Sequence, residues 1–353
     1  MSSQTKQTFT IGSRKSKLAL IQTQQVHDKL AAAFPHFSFP IISMTTTGDQ
    51  ILSKPLYQIG EKNLFTKELE IALENRTVDL VVHSLKDLPT SLPEGMCVGA
   101  ILRRENPKDA VVIKEGLDAK KIEDLPSGSI VGTSSVRRVA QLKRKFPHLV
   151  FQDVRGNLNT RLSKLDNPEG PYSAIILAVA GLVRLGCGDR ISQILEKSTI
   201  LHAVGQGALA VECRTDDSQL HEILAVLEDR DTRLRCTAER SLLRTLEGGC
   251  SVPIGVYTQF IETHDRGSLE EQMSTRKKRV LRLSALVASR DGMDVVEGEA
   301  EKNVDNDDGN DLEAAISLGK NLADILIGKG ANKILDNLRR TSSTEVDQTA
   351  FLL

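Results

Sequence analysis

Cys250 follows two glycines in LEGGCSVPIG (246–255), and a strand-like VPIGVY run begins just beyond it. Two readings are open. One is a tight turn holding a small apolar residue; the other is a thiol on a bare loop, free to be joined to something bulky. Arginines recur beside glycine or serine at apparent strand exits: Arg14 in IGSRKS, Arg137 and Arg138 in VGTSSVRR, Arg155 and Arg161 in VRGNLNTR, and Arg184 in GLVRLG. The planar guanidinium fork matches carboxylate or phosphate oxygens in pairs. Thr133, Ser134 and Ser135 can cap the following helix and leave amides and hydroxyls for an anion. Any one arginine reads as a solvated surface charge. Six of them at strand–loop junctions point instead to a cleft for a polyanion. In HSLKDLP (83–89) a strand ends at His83, and Ser84, Lys86 and Asp87 follow before Pro89. A carboxylate there can act as acid or base or steady a developing cation; the plain alternative is an ion-paired surface turn. His83 is assigned a hydrogen bond near the core.

These residues need elements to position them. TFTIGS, FPIISMTTTGD, VDLVVHSL, DAVVI, SIVGTSS, LVFQDVRGN and YSAIILAVAGL read as strands. Helical patterns such as SKLALIQTQQVHDKLAAAF, LFTKELEIALEN and VRRVAQLKRKF alternate with them. That alternation predicts parallel α/β sheets. The polar stretch LRRENPKD (102–109) and AVGQGA (203–208) break the pattern, and ALAVECR and the helices around 216–246 follow. VPIGVYTQF, RVLRLSALVAS and GMDVVEGEA then predict an antiparallel sheet, with a helix over DLEAAISLGKNLADILI. The polar segment 46–63, with Lys62 and Phe65 at its far end, is long enough for a cover over a cleft. Segments 262–278 and 301–311 read as surface insertions. The expectation is two α/β units and a smaller α+β unit with Cys250 near its start.

The 353 residues suffice for two or three domains, and a net charge of −1 opposes general attraction to nucleic acid or an acidic membrane. There is no spanning-length apolar run, and MSSQTKQTFT lacks a signal-peptide core. The five cysteines form no CxxC pair and read as reduced thiols, and the seven histidines show no metal-ligand spacing. The expected location is cytoplasmic, and no metal is expected.

VGTSSVRR, VRGNLNTRL, HSLKDLP, LAVAGLVRLG, AVGQGALAVE and LEGGCSVPIG, taken together, resemble the porphobilinogen deaminase (hydroxymethylbilane synthase) family from about Ile11 to Gly255. The resemblance implies a dipyrromethane cofactor joined by a thioether to Cys250. It also implies head-to-tail condensation of four porphobilinogens into linear 1-hydroxymethylbilane, with ammonia released at each addition. Asp87 matches the catalytic carboxylate, expected to help protonate the departing amine and stabilise the cationic azafulvene. Arg14, Ser16, Lys62, Phe65, Arg155, Arg161 and Arg184 match substrate-binding positions. Ser84, Lys86, Thr133, Ser134, Ser135, Arg137, Arg138, Arg155, Arg161 and Arg184 match cofactor-binding ones. Each ring brings an acetate and a propionate, which accounts for the cations.

The implied fold is two doubly wound, periplasmic-binding-protein-like α/β domains plus a smaller α+β C-terminal domain with a three-stranded antiparallel sheet. The implied limits are 1–104 with 206–228, 105–205, and 229–353. The implied partners are porphobilinogen and uroporphyrinogen III synthase, as receiver of the product, with the enzyme a monomer. Three rival readings stand beside this one. A bilobal small-anion binding protein would use the same arginines but has no need of a GGC turn. Nucleic-acid binding through VRRVAQLKRKF is opposed by near-neutral charge and 3% aromatic residues. A cysteine hydrolase lacks a recognisable histidine motif.

Overall fold

The computed structural model describes residues 7–50, 65–247, 252–264, 277–304 and 310–350. Strands β1 (Ile11–Arg14), β2 (Ile41–Met44), β3 (Leu80–Ser84) and β4 (Met96–Ile101) belong to a first sheet. Around them lie α1 (Lys17–Ala33), α2 (Thr47–Gln50) and α3 (Lys67–Glu74). Helix α1 starts where the Ser16 hydroxyl accepts from the Ala19 amide. It buries Ala19, Gln22, Thr23, Val26 and Leu30, a stripe at helical spacing that faces the sheet.

The second sheet contains β5 (Asp109–Ile113), β6 (Ile130–Gly132), β7 (Val150–Gln152), β8 (Tyr172–Ala178) and β9 (Gln193–Ile194), with α4 (Val136–Lys145), α5 (Leu158–Asp166) and α6 (Val179–Arg184). The chain then returns to the first sheet as β10 (Leu209–Arg214).

The two sheets share one plan: β2-β1-β3-β10-β4 and β7-β6-β8-β5-β9. In each, the three strands at one side are parallel and the fourth runs against them. The expectation of parallel sheets is corrected at these fourth strands. Each arrives from the other lobe: Asp109 of β5 pairs with Ala178 at the end of β8, and Leu209 of β10 pairs with Ser84 at the end of β3. A strand entering beside a neighbour's last residue must run backwards along it. The segment read from the sequence as one strand over YSAIILAVAGL divides after Ala178 into β8 and α6. Strands β4 and β9 escaped the sequence reading.

The third unit packs α8 (Arg230–Thr245), α9 (Asp311–Gly328) and α10 (Ala331–Ala350) on an antiparallel sheet of β11 (Ile254–His264), β12 (Lys277–Ala288) and β13 (Val295–Asn303). Gly319 lets α9 approach α8, since a Cβ there would lie 2.4 Å from the Ala238 carbonyl oxygen. Helix α7 (Ser218–Leu224) flanks the first sheet. Helix α8 also ties the third unit to both crossings. Glu239 is fully buried and accepts from Arg104 at 2.7 and 3.0 Å, from the Gly205 amide at 2.8 Å and from Thr258 at 2.8 Å. No described helix is long and apolar enough to cross a membrane.

His202 sits at this junction, buried; burial, with the Arg104 guanidinium nearby, pushes its imidazole down to about 4. The unfolded chain takes up this proton near pH 6.5, whereas the folded chain resists it to about 4. The stabilisation is therefore whole above pH 6.5 and is lost as pH falls through that window, by about 3 kcal/mol. Urea midpoints measured across this range should fall, with a shallower slope in His202→Gln; identical slopes would contradict the assignment.

Candidate functional site

The ends of β1 and β3 and the start of α1 face the loops after β6, β7 and β8 across a cleft of about 450 Å³. On the first lobe, a short 3-10 turn, Leu85–Asp87, follows β3. Buried Leu85 and Leu88 anchor it, and Arg240 donates to the Leu88 and Pro89 carbonyls at 2.9 and 2.5 Å. Asp87 is thereby left exposed and, with Lys86, lines the cleft. Burial of the Lys86 amine pulls its pKa down, opposed by Asp87. Gln22 donates to Ser84 at 2.9 Å, and the Arg14 guanidinium lies 4.4 Å over the Phe65 ring.

On the second lobe, the three hydroxyls before α4 separate by role. Ser134 lines the cleft and donates to the Val154 carbonyl at 2.6 Å. Ser135 caps α4 through the Arg138 amide, and Thr133 is buried, accepting from the Ser135 amide at 3.3 Å. Arg137 and Arg138 separate likewise. Both pair with buried Asp109, at 2.8 Å for Arg137 and at 2.7 and 3.0 Å for Arg138. Burial alone would raise the Asp109 pKa, yet the two guanidiniums hold it far below the carboxylate range. Arg138 lines the cleft, whereas Arg137 turns to the Leu201 carbonyl and does not.

Arg155, Arg161 and Arg184 complete the wall. Gly156, at φ 107°, turns the chain so that its carbonyl accepts from Arg161 Nε at 2.8 Å. Burial, with Arg138 close by, pushes Arg161 down to about 10, so it stays charged at neutral pH. Arg184 donates to the Gly207 carbonyl at 2.7 Å. Gly207 sits at φ 89°, and a Cβ there would meet the Glu105 carbonyl at 2.4 Å; this glycine of AVGQGA thus lets the two crossings touch. Arg155 Nη1 is buried and has no hydrogen-bond partner among the described residues.

Among the described residues the lining therefore holds Arg14, Lys17, Lys86, Arg138, Arg155, Arg161 and Arg184 against one carboxylate, Asp87. Ser16, Phe65, Ser84 and Ser134 line it too. Lys62, Cys250 and most of the 46–63 segment lie outside the described residues. Sequence reasoning missed Lys17, Asn157 and Thr160, and missed Asp109 as the shared counter-ion. Lys17 stands beside Ser16 in IGSRKSK, a signal that was available; Asp109 closes a stretch that reads as a polar hinge.

A dipyrromethane, with two rings and four carboxylates, fits this donor set. The cationic excess would balance it, and the Arg155 donor that has no partner among the described residues suits one of its carboxylates.

A cation-walled cleft between two lobes of matched strand order defines a bilobed anion-binding α/β protein with an added third domain. Family models place it further. "Porphobilinogen deaminase, dipyromethane cofactor binding domain" matches residues 9–222, and "Porphobilinogen deaminase, C-terminal domain" matches residues 233–328. The porphobilinogen deaminase of Nostoc sp. is 50% identical over 336 residues, 95% of this chain and 96% of its own. That of Eremothecium gossypii is 49% identical over 334 residues, 94% of this chain and 97% of its own. Among solved structures, the periplasmic aliphatic sulphonate binding protein SsuA of Escherichia coli covers 68% of this chain and 71% of its own, at 13% identity and a TM-score of 0.36. The chain belongs to the porphobilinogen deaminase family, transferases with a dipyrromethane-binding domain.

Proposed function

We propose that the family's condensation of four porphobilinogens into hydroxymethylbilane runs in this cleft, with Asp87 as the catalytic carboxylate. The observation carrying this reading is that Asp87 is the one acid among the described lining residues, set beside Lys86 and facing arginines of the other lobe. A fixed negative charge there favours a cation developing on the substrate, and the same oxygen can hold the proton that leaves with ammonia.

The dipyrromethane, when bound at Cys250, supplies the pyrrole that primes chain growth. Lys86, Ser84, Ser134, Arg138, Arg155, Arg161 and Arg184 would hold its carboxylates, and Arg14, Ser16, Lys62 and Phe65 would receive the incoming ring. Thr133, Ser135, Arg137 and Asp109 act one step back: Asp109 orients Arg138, and Ser135 starts the helix that carries it. We propose the domain limits 1–104 with 206–228, 105–205 and 229–353, and a cytoplasmic monomer that passes its product to uroporphyrinogen III synthase.

The test is incubation with porphobilinogen, acid oxidation and measurement of porphyrin absorption. Arg155→Leu should lower the rate roughly 30-fold, the worth of a lost charge-assisted hydrogen bond. A wild-type rate in that variant would remove Arg155 from the site, and no porphyrin from the wild-type enzyme would end the proposal.

A further inference from the structure

At the end of the first sheet away from the cleft, Cys97 converges with two residues more than a hundred positions further along the chain. Cys97, on edge strand β4, stands directly opposite Cys213 on β10, and α7 brings His221 alongside. The Cys97 sulfur lies 3.8 Å from that of Cys213 and 3.9 Å from Nε2 of His221, and the three ligand atoms fall within 4.8 Å of one another. Two thiolates on a tetrahedral zinc, each about 2.3 Å from the metal, stand about 3.8 Å apart.

Gly99 makes room for the group. A Cβ there would come within 2.7 Å of the Cys213 sulfur and 2.6 Å of Leu224. Cys213 is fully buried, while Cys97 and His221 are half-buried, so an ion can enter at the sheet edge. The site is separate from the cleft: Cys213 pairs with Leu80 at the start of β3, and the cleft lies at Ser84, where β3 ends.

We propose that Cys97, Cys213 and His221 bind one thiophilic divalent cation of the zinc and cadmium class, with water in the fourth position. Binding displaces the two thiol protons and involves no redox change. Two thiolates and a neutral imidazole balance the ion's charge locally, and nearby Arg233 is already paired with Glu228 at 2.7 and 2.8 Å. The ion would pin the edge strand and α7 together and stabilise the fold by mass action.

The test uses the full chain with its cofactor attached, reduced, stripped with chelator and titrated with Cd²⁺. One equivalent should produce thiolate-to-cadmium charge-transfer absorption and raise the melting temperature. Cys97→Ala should abolish the band. His221→Ala, at a half-buried position and checked for folding by circular dichroism, should keep both thiols and weaken Cd²⁺ binding roughly tenfold or more. No band at one equivalent, or one unchanged in Cys97→Ala, would overturn the proposal, as would a Cys97–Cys213 disulfide that the reductant fails to open.

Discussion

Cys250→Ser enzyme, purified from cells that make porphobilinogen, is expected to weigh only what its residues sum to, whereas the wild-type chain should carry a two-pyrrole adduct. A serine hydroxyl stays protonated at neutral pH and is a poor nucleophile, while a thiolate adds readily to an electrophilic methylene. None of the four described free cysteines lines the cleft, and Cys97 and Cys187 are half-buried. Cys213 and Cys236 are buried, and burial pushes the Cys236 thiol up to about 12. Without the primer, porphyrin formation should fall to background. Intact mass is the decisive measurement because it also separates this enzyme from an anion-binding protein on the same scaffold, which would never gain mass. An adduct persisting in Cys250→Ser would move the attachment to another residue.

Asp87→Asn should keep the adduct and the fold yet lower turnover by a factor on the order of 10² to 10⁴, the range for a positioned acid–base group. Asparagine preserves the shape and one acceptor oxygen, so ground-state packing is spared; what disappears is the charge and the proton-holding oxygen. Since Lys86 and the cleft arginines remain, the variant's described lining would have no carboxylate to offset them. Single-turnover addition of one porphobilinogen should be slowed as much as the overall rate. Equal rates for the two proteins would shift the catalytic role away from Asp87.

Much of the site was legible because its parts sit next to recognisable chain punctuation. IGSRKS, HSLKDLP and VRGNLNTR each place a cation or carboxylate at a strand exit or just beyond it, whereas GLVRLG puts Arg184 at the end of α6, and the fold brings Arg14, Asp87, Arg155, Arg161 and Arg184 to one cleft. VGTSSVRR was legible as a unit but not residue by residue. Successive helix positions differ by about 100°, so Arg138 faces the cleft while its neighbour Arg137 turns to the Leu201 carbonyl.

By itself, then, the sequence determined the strand–helix alternation, the family and the cationic character of the cleft, since these follow from local periodicity, turn chemistry and residue type. Tertiary structure alone decided that β5 and β10 run against their neighbours, that one buried Asp109 balances two arginines, and that Cys97, Cys213 and His221 meet. Each of these depends on which distant segments pair across a sheet or between lobes. Local patterns carry almost no information about that choice, because it is settled by the burial of whole faces rather than by any one stretch of chain.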